Sequence, residues 1–398
     1  MSLVFDQRNS LGDNPGLHAL VVGVSDYSHL PDRQADPGPP HFGMARLHST
    51  ALTAFRMYEW LRERHDAGSF PVPLATVRLL LSPSSEEEQA VPEIAGSGAD
   101  PATLDNFLHA AAGWRSDACA HPEGTTIFYF AGHGVQRNEE DAIMIFQEFG
   151  SGVGGALRES VDVDNIYYGM VPTPPDTPQH DIARTQFYFV DACRNVPDEI
   201  GLYGGLNPTD VFTTQIGGRD DRKAPAFYAT IPGAKAYALR GEQTVFSRAL
   251  LRCLDVAADE PDEDGRWPVT AWTLNRVLRQ HFDAMDPYER AGQQYSVGRF
   301  DDAVIQYLDE PPPVDISVTV TPEEALQTAE LNVLDQRGRP KEQIPTPLPE
   351  HPYHLSLGAG LYSLEANITS GSSPYVSSRS LQTALPLSKS WRLNIDRR

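Results

Sequence analysis

The chain alternates between short, unbroken apolar runs and longer stretches in which apolar residues recur every three or four positions. Residues 17–27 (LHALVVGVSDY), 75–81, 125–131 (TTIFYFA), 186–190 (QFYFV) and 227–231 are of the first kind. Runs this short, closed by polar residues, predict strands buried on both faces. Residues 141–149 and 303–308 extend the set, the latter as the expected last strand of the sheet. Helical spacing marks Leu47, Ala51, Phe55, Tyr58 and Leu61, then Leu104, Phe107, Leu108 and Ala111. It returns at Phe246, Ala249, Leu250, Cys253 and Leu254, and at Leu274, Val277, Leu278 and Phe282 behind Thr270 as N-cap. Residues 29–43, 82–100, 150–183 and 195–224 read as loops.

Strands alternating with helices predict an α/β domain whose largely parallel sheet carries helices on both faces. Sites in such sheets lie at the carboxyl ends of the strands. The pattern changes at Pro311-Pro312-Pro313, a stiff linker. Beyond it apolar residues alternate: Ile316, Val318, Val320, then Leu331, Val333, then Leu355, Leu357, Leu361, Leu364. Period two with Gly/Pro turns predicts a small all-β sandwich. The expected organisation is residues 1–310 as one domain and 311–398 as a second that folds on its own.

Composition narrows the function. A net charge of -22 argues against nucleic acid and against an anionic membrane; it would attract a basic peptide, set against its plainer reading as acidity that keeps the protein soluble. Three cysteines, Cys119, Cys193 and Cys253, form no disulfide framework. No basic stretch followed by an apolar run marks the first residues, and no apolar stretch has membrane-spanning length. The expectation is a soluble protein of a reducing compartment, the cytoplasm.

Two strands end in chemistry. Residues 128–134 read Phe-Tyr-Phe-Ala-Gly-His-Gly, and residues 187–195 read Phe-Tyr-Phe-Val-Asp-Ala-Cys-Arg-Asn. If the strands are parallel neighbours, His133 and Cys193 emerge together. A thiol becomes a strong nucleophile on losing its proton, and an imidazole can take that proton. Glycines beside His133 allow close approach of a substrate carbonyl, and the amides of Gly134 and Cys193 can face the developing oxyanion. Taken alone, Cys193 reads as a small buried hydrophobe and His133 as a polar strand end; the pairing outweighs both.

These motifs resemble those of the caspase–metacaspase superfamily, closest to bacterial metacaspase-like members, in the family's element order over residues 17–308. The resemblance implies a cysteine endopeptidase with Cys193 as nucleophile, His133 as base and the Gly134 and Cys193 amides as oxyanion donors. It implies Asp191 as a substrate-binding acid for Arg or Lys. The second pocket acid of such enzymes opens the first helix, where this chain has Leu47-His48-Ser49-Thr50. Asp26 is a substitute, set against its reading as a turn residue. Asp191 and Asn195 depart from the animal caspase signature, so cleavage after Asp is not carried over. Relatives act in programmed death or antiviral defence, under an activating protease or partner. The competing reading is a catalytically vestigial scaffold that binds partners through its C-terminal β region.

Other features carry less. Cys253 lies on an apolar helix face, and Cys119 near His121 lacks a zinc spacing. The glycine run at 150–155 lacks the Gly-Lys-Ser/Thr of a phosphate loop. The acids Asp262, Glu263 and Asp264 raise calcium dependence without the spacing of a calcium loop, so no cofactor is expected. Arg219, Arg222 and Lys223 in the second long loop are candidate self-cleavage sites.

Overall fold

The computed structural model describes residues 2–32, 41–138, 141–152, 155–175, 177, 179–197, 200, 206–214, 220–236, 241–290 and 293–398. It divides into two compact units, Met1–Leu251 with Ala284–Ala303, and Arg252–Asp283 with Val304–Arg398.

The chain opens with β1 (Leu3–Asp6), α1 (Arg8–Leu11), β2 (Leu17–Val24), α2 (Thr50–Asp66) and β3 (Leu74–Ser82). Next come α3 (Ser85–Ala90), α4 (Glu93–Gly96), α5 (Leu104–Ala118), β4 (Thr125–Gly132) and β5 (Gly134–Val135). These lead to β6 (Ile143–Ile145), β7 (Ser160–Asp162), α6 (Val163–Gly169), β8 (Thr185–Ala192), β9 (Ala226–Tyr228) and α7 (Val245–Leu254). After β10 (Trp267–Thr270), α8 (Ala271–Ala284) and α9 (Pro287–Arg290) follow β11 (Ser296–Gly298) and β12 (Val304–Leu308). The last elements are β13 (Pro313–Thr321), β14 (Ala329–Asp335), β15 (Pro340–Ile344), β16 (Tyr353–Gly358), β17 (Gly360–Ile368), β18 (Ser378–Ala384) and β19 (Ser388–Asn394).

The sheet of the first unit has the order β1-β3-β2-β4-β8-β9-β11. Its inner pairs are parallel, and its two edges, β1 and β11, are antiparallel. Successive side chains of a strand face opposite layers. Leu20, Val22, Phe128, Phe130, Tyr188 and Val190 face one core, where Phe107 and Trp114 of α5 meet them. The intervening residues face α2: a Cβ on Gly23 would lie 2.6 Å from that of Ala54, so only glycine lets α2 approach this closely. Asp191 falls on this same side. Burying a Phe or Leu stabilises by roughly 1.5–3 kcal/mol, so a strand with both faces covered is strongly held in register.

Several expectations change. Residues 82–100 are not a plain loop: Ser84 and Glu87 form a capping box that starts α3. Residues 150–183 hold β7 and α6, the latter capped by Asp162. Residues 143–145 belong to a small antiparallel sheet, β5-β6-β7, and not to the main one. The strand at 304–308 pairs with β10 in a separate two-stranded sheet, and β11 closes the main sheet instead.

In the second unit the expected β region forms two sheets, β16-β13-β19 and β15-β14-β17-β18. Val314, Ile316, Val318 and Val320 alternate inward, as do Leu331 and Val333. Residue 310 lies inside this unit, which also takes in residues 252–283. There Thr270 and Thr273 exchange side-chain-to-amide bonds at the start of α8, and Arg276 donates to the Pro386 carbonyl at 2.7 Å.

Candidate active site

The parallel pairing of β4 with β8 sets Ala131 opposite Asp191 and Gly132 opposite Ala192. One residue further, His133 and Cys193 leave adjacent strands at matching positions, and both are partly exposed. Gly134 passes close to the Cys193 turn: a Cβ there would lie 2.6 Å from the Cys193 carbonyl oxygen and 2.8 Å from the Ala192 Cβ. Any side chain at 134 forces the two strand ends apart. The amide of Ile145 donates to the His133 carbonyl at 3.1 Å. Gly134 therefore takes the non-hydrogen-bonded position opposite Met144, with its amide directed away from β6.

His133 is held from two sides. Its backbone amide donates to the Tyr27 hydroxyl at 2.7 Å, and the two rings sit 4.8 Å apart. Its Nε2 lies 2.7 Å from the Ala45 carbonyl. A carbonyl only accepts, so Nε2 carries the proton and, in the neutral ring, Nδ1 is the basic atom. Burial lowers the imidazole pKa to about 4, against a smaller raising effect of the Ala45 carbonyl. Tyr27 itself is buried, which pushes its phenol far above the ordinary value, so it stays neutral.

Cys193 Sγ accepts from the Ala236 amide at 3.3 Å and lies 3.9 Å from the Ala236 carbonyl. Burial pushes the thiol up, with the Ala236 amide and the charge of Lys235 acting the other way. Both shifts favour the neutral forms, thiol and imidazole, over an ion pair. The Ala236 segment is tied to the same turn, since Arg194 donates its amide to the Ala234 carbonyl at 2.9 Å.

Asp191 does not open onto solvent. It is 1% exposed, facing the α2 side of the sheet. Its Oδ2 accepts from the hydroxyls of Thr244, of Ser247 at 2.8 Å and of Tyr129 at 3.5 Å. Its Oδ1 is buried without a hydrogen-bond partner. Burial raises this carboxyl to about 6, and the three hydroxyls pull it down. Asp26 stands apart from it, half-exposed and 3.3 Å from the Arg46 guanidinium. Its carboxylate is thus engaged by a cation of the same chain. The first turn of α2 carries no acid of its own. Glu87 of α3 accepts from the Leu52 amide and the Ser25 hydroxyl, both at 2.9 Å, and from Ser84, so it serves as a cap for α2.

Sequence reasoning missed Tyr27, Ala45, Ala236, Thr244 and Ser247. Only Tyr27 left a trace, as the polar-tipped residue closing the first apolar run. Ala45 and Ala236 act through backbone atoms, which no residue type announces.

The remaining candidates separate. Arg222 has a fully buried side chain that donates to the Tyr167 carbonyl, to Gln186 and to Asp220, so it is a core cation and no accessible cleavage site. Lys223 forms a backbone bridge with Thr185 at the start of β8. Arg219 lies outside the described residues, as do Val153 and Gly154 of the glycine run. Cys253 is buried, and burial pushes its thiol up to about 12. Asp262 is the acceptor of a turn, bonded to the amides of Asp264 and Arg266. Among the described residues no group of three His, Cys, Asp or Glu side chains is arranged to hold a metal ion, and no helix is long and apolar enough to cross a membrane.

The family model of the caspase domain matches residues 17–280. A probable protease of a Desulfuromonadales bacterium is 28% identical over 245 residues, covering 58% of this chain and 25% of that protein. An uncharacterized protein of Sinorhizobium fredii is 24% identical over 202 residues, covering 48% of this chain and 53% of that protein. The chain thus spans about a quarter and about half the length of these two relatives. A crystal structure of a protein from Geobacter sulfurreducens aligns with a TM-score of 0.41 at 14% identity, over 71% of this chain and 93% of that one.

Proposed function

The chain belongs to the caspase-domain family of cysteine peptidases, and from that premise we propose that it is an active endopeptidase using Cys193 and His133. The observation that carries this reading is the register of β4 against β8, from which both residues emerge side by side. Sγ of Cys193 attacks the scissile carbonyl carbon while Nδ1 of His133 takes the thiol proton. The negative charge passes to the carbonyl oxygen, where the Gly134 and Cys193 amides are the expected donors. Collapse expels the amine, which leaves with the proton from His133, and a thioester remains. Water, deprotonated by His133, hydrolyses the thioester to the acid and returns the thiol. The Ala236 amide supports the sulfur as charge forms on it.

We place the preference at Arg or Lys before the cut. Support comes from the net charge of -22 and from the unpartnered Asp191 Oδ1, two residues from the nucleophile. A guanidinium can pair with such an oxygen, and an acidic side chain would be repelled. Regulated action in cell death or antiviral defence belongs to the same proposal and rests on the family alone. The test is labelling and hydrolysis with fluorogenic peptides that vary only the residue before the cut. Specific labelling of Cys193 by an Arg-based electrophile supports the enzyme; no labelling and no turnover on any peptide favours a scaffold that binds partners through its β region.

A further inference from the structure

We propose that Arg46 is a positioning residue for the catalytic base, an inference that rests on reading His133 as that base. The Ala45 carbonyl and the Arg46 amide belong to one peptide unit, which is planar. Its carbonyl accepts from His133 Nε2 at 2.7 Å, and its N–H donates to the Pro31 carbonyl at 2.9 Å. The tilt of that plane decides whether the imidazole keeps its Nε2 proton and leaves Nδ1 open to the thiol. Residues 44–47 have no regular secondary structure to hold the plane.

The Arg46 side chain supplies the hold. Its Nε donates to the carbonyls of Tyr27 and Leu30, each at 3.1 Å, and Nη2 to that of Ser28 at 3.4 Å. Nη1 faces Asp26 at 3.3 Å and Asp32 at 3.5 Å. The guanidinium therefore gathers the turn after β2 onto the strand-less segment that carries Ala45. The same turn carries Tyr27, whose hydroxyl accepts the His133 amide. One side chain thus ties together both contacts that orient the imidazole. The ion pairs with Asp26 and Asp32 are partly exposed and weak; the carbonyl bonds, which need a fork of donors, carry the positioning. Asp26 enters the site in this way, as a partner of Arg46 and at one remove from substrate.

The experiment compares wild type with Arg46→Ala and Arg46→Met, the second keeping the stem and its packing. Side-chain NMR of protein labelled with 15N-histidine reads the tautomer of His133, assigned against His133→Gln. Wild type is expected to show neutral imidazole protonated at Nε2, and both variants a mixture of tautomers. Turnover number should fall about tenfold to a hundredfold with KM changed by no more than about twofold, the mark of a misplaced base rather than lost binding. A wild-type tautomer with wild-type turnover in either folded variant overturns the proposal, and so does loss of the fold in both, which makes Arg46 a stability residue only. If wild type cleaves no peptide, the peptidase reading fails, while the tautomer comparison still decides what Arg46 does.

Discussion

The Ala45 carbonyl accepts a hydrogen bond from the His133 Nε2–H at 2.7 Å, and this bond fixes which ring nitrogen is left with a free lone pair. Ala45 precedes α2, whereas His133 follows β4, and the two meet because β2 and β4 are hydrogen-bonded neighbours. Their parallel register places the turn after β2 beside the turn after β4. A third strand, β8, brings Cys193, the proposed nucleophile. The proposed site is thereby assembled at the carboxyl ends of three neighbouring inner strands, where open α/β folds keep their sites.

Replacing Cys193 by Ala should abolish peptide hydrolysis and leave the melting temperature near that of wild type, since the change is small and the site partly exposed. Replacing His133 by Ala should slow turnover on the order of a hundredfold or more, the usual cost of a lost base. Steady-state hydrolysis beside thermal melts reads both. Unchanged hydrolysis by Cys193→Ala would remove the nucleophile from the proposal.

The pH profile should show an unusually low acid limb. Burial brings His133 from 6.5 to about 4, so the imidazole stays neutral and competent through mildly acidic conditions. On a peptide with an uncharged residue before the cut, which does not draw on the Asp191 charge, kcat/KM should hold from pH 7 to below 6 and fall as pH approaches about 4. The linked stability has the same sense. A base with a depressed folded pKa gives stability present above 6.5 and lost as pH falls through about 4. An acid limb at 6.5 or higher, measured on one peptide at constant ionic strength, would instead show that the His133 imidazole titrates at its ordinary value and that burial does not depress it.

What could be read from the sequence follows from which groups do the work. The inner strands of the main sheet were legible because both faces are covered, which writes unbroken apolar runs such as TTIFYFA. His133 and Cys193 were legible because each ends such a run. β12 was misplaced because five residues with mixed burial fit any sheet, and a pairing partner leaves no mark on one strand alone. The helix α3 was signalled by Ser84 and Glu87 at capping-box spacing, masked by an acidic stretch that reads as loop. Arg222 showed the opposite failure: a cation in a polar loop reads as exposed, yet Gln186 and the Tyr167 carbonyl give it a buried socket.

Ending the chain after Glu310 should destabilise what remains. Such a cut falls within the second unit. It strips α8 of the Pro386 carbonyl that Arg276 binds, and it removes Tyr362 and Leu361 from the cleft of about 650 Å³ that Trp267 also lines. Loss of a hydrogen bond from a half-buried guanidinium and newly exposed apolar surface both lower stability. The truncated protein should melt at least about 4 °C lower, a shift corresponding to one or two kcal/mol in a domain of this size. Matching melts of the two proteins would show that 311–398 is dispensable to the rest.

Asp191 has two roles to divide, and Asp191→Asn separates them. The amide keeps the shape and can still accept from Thr244 and Ser247, so the brace on the first turn of α7 should survive. The charge is lost. If Oδ1 receives the basic side chain of the substrate, kcat/KM for Arg peptides should fall about tenfold to a hundredfold, the range expected for losing a charge-assisted bond. The preference over Asp peptides should shrink in parallel. Stability gives an independent reading. An acid whose folded pKa is raised from 3.8 to about 6 contributes stability that is fully present below 3.8 and lost as pH rises through 6. Wild type should therefore lose on the order of 2–3 kcal/mol across that window relative to the variant, which has no proton to release there. Urea melts at pH 4 and pH 7.5 measure the difference. A collapsed pH dependence with an unchanged peptide preference would leave Asp191 as a brace for the Cys193 strand and move substrate choice to other residues.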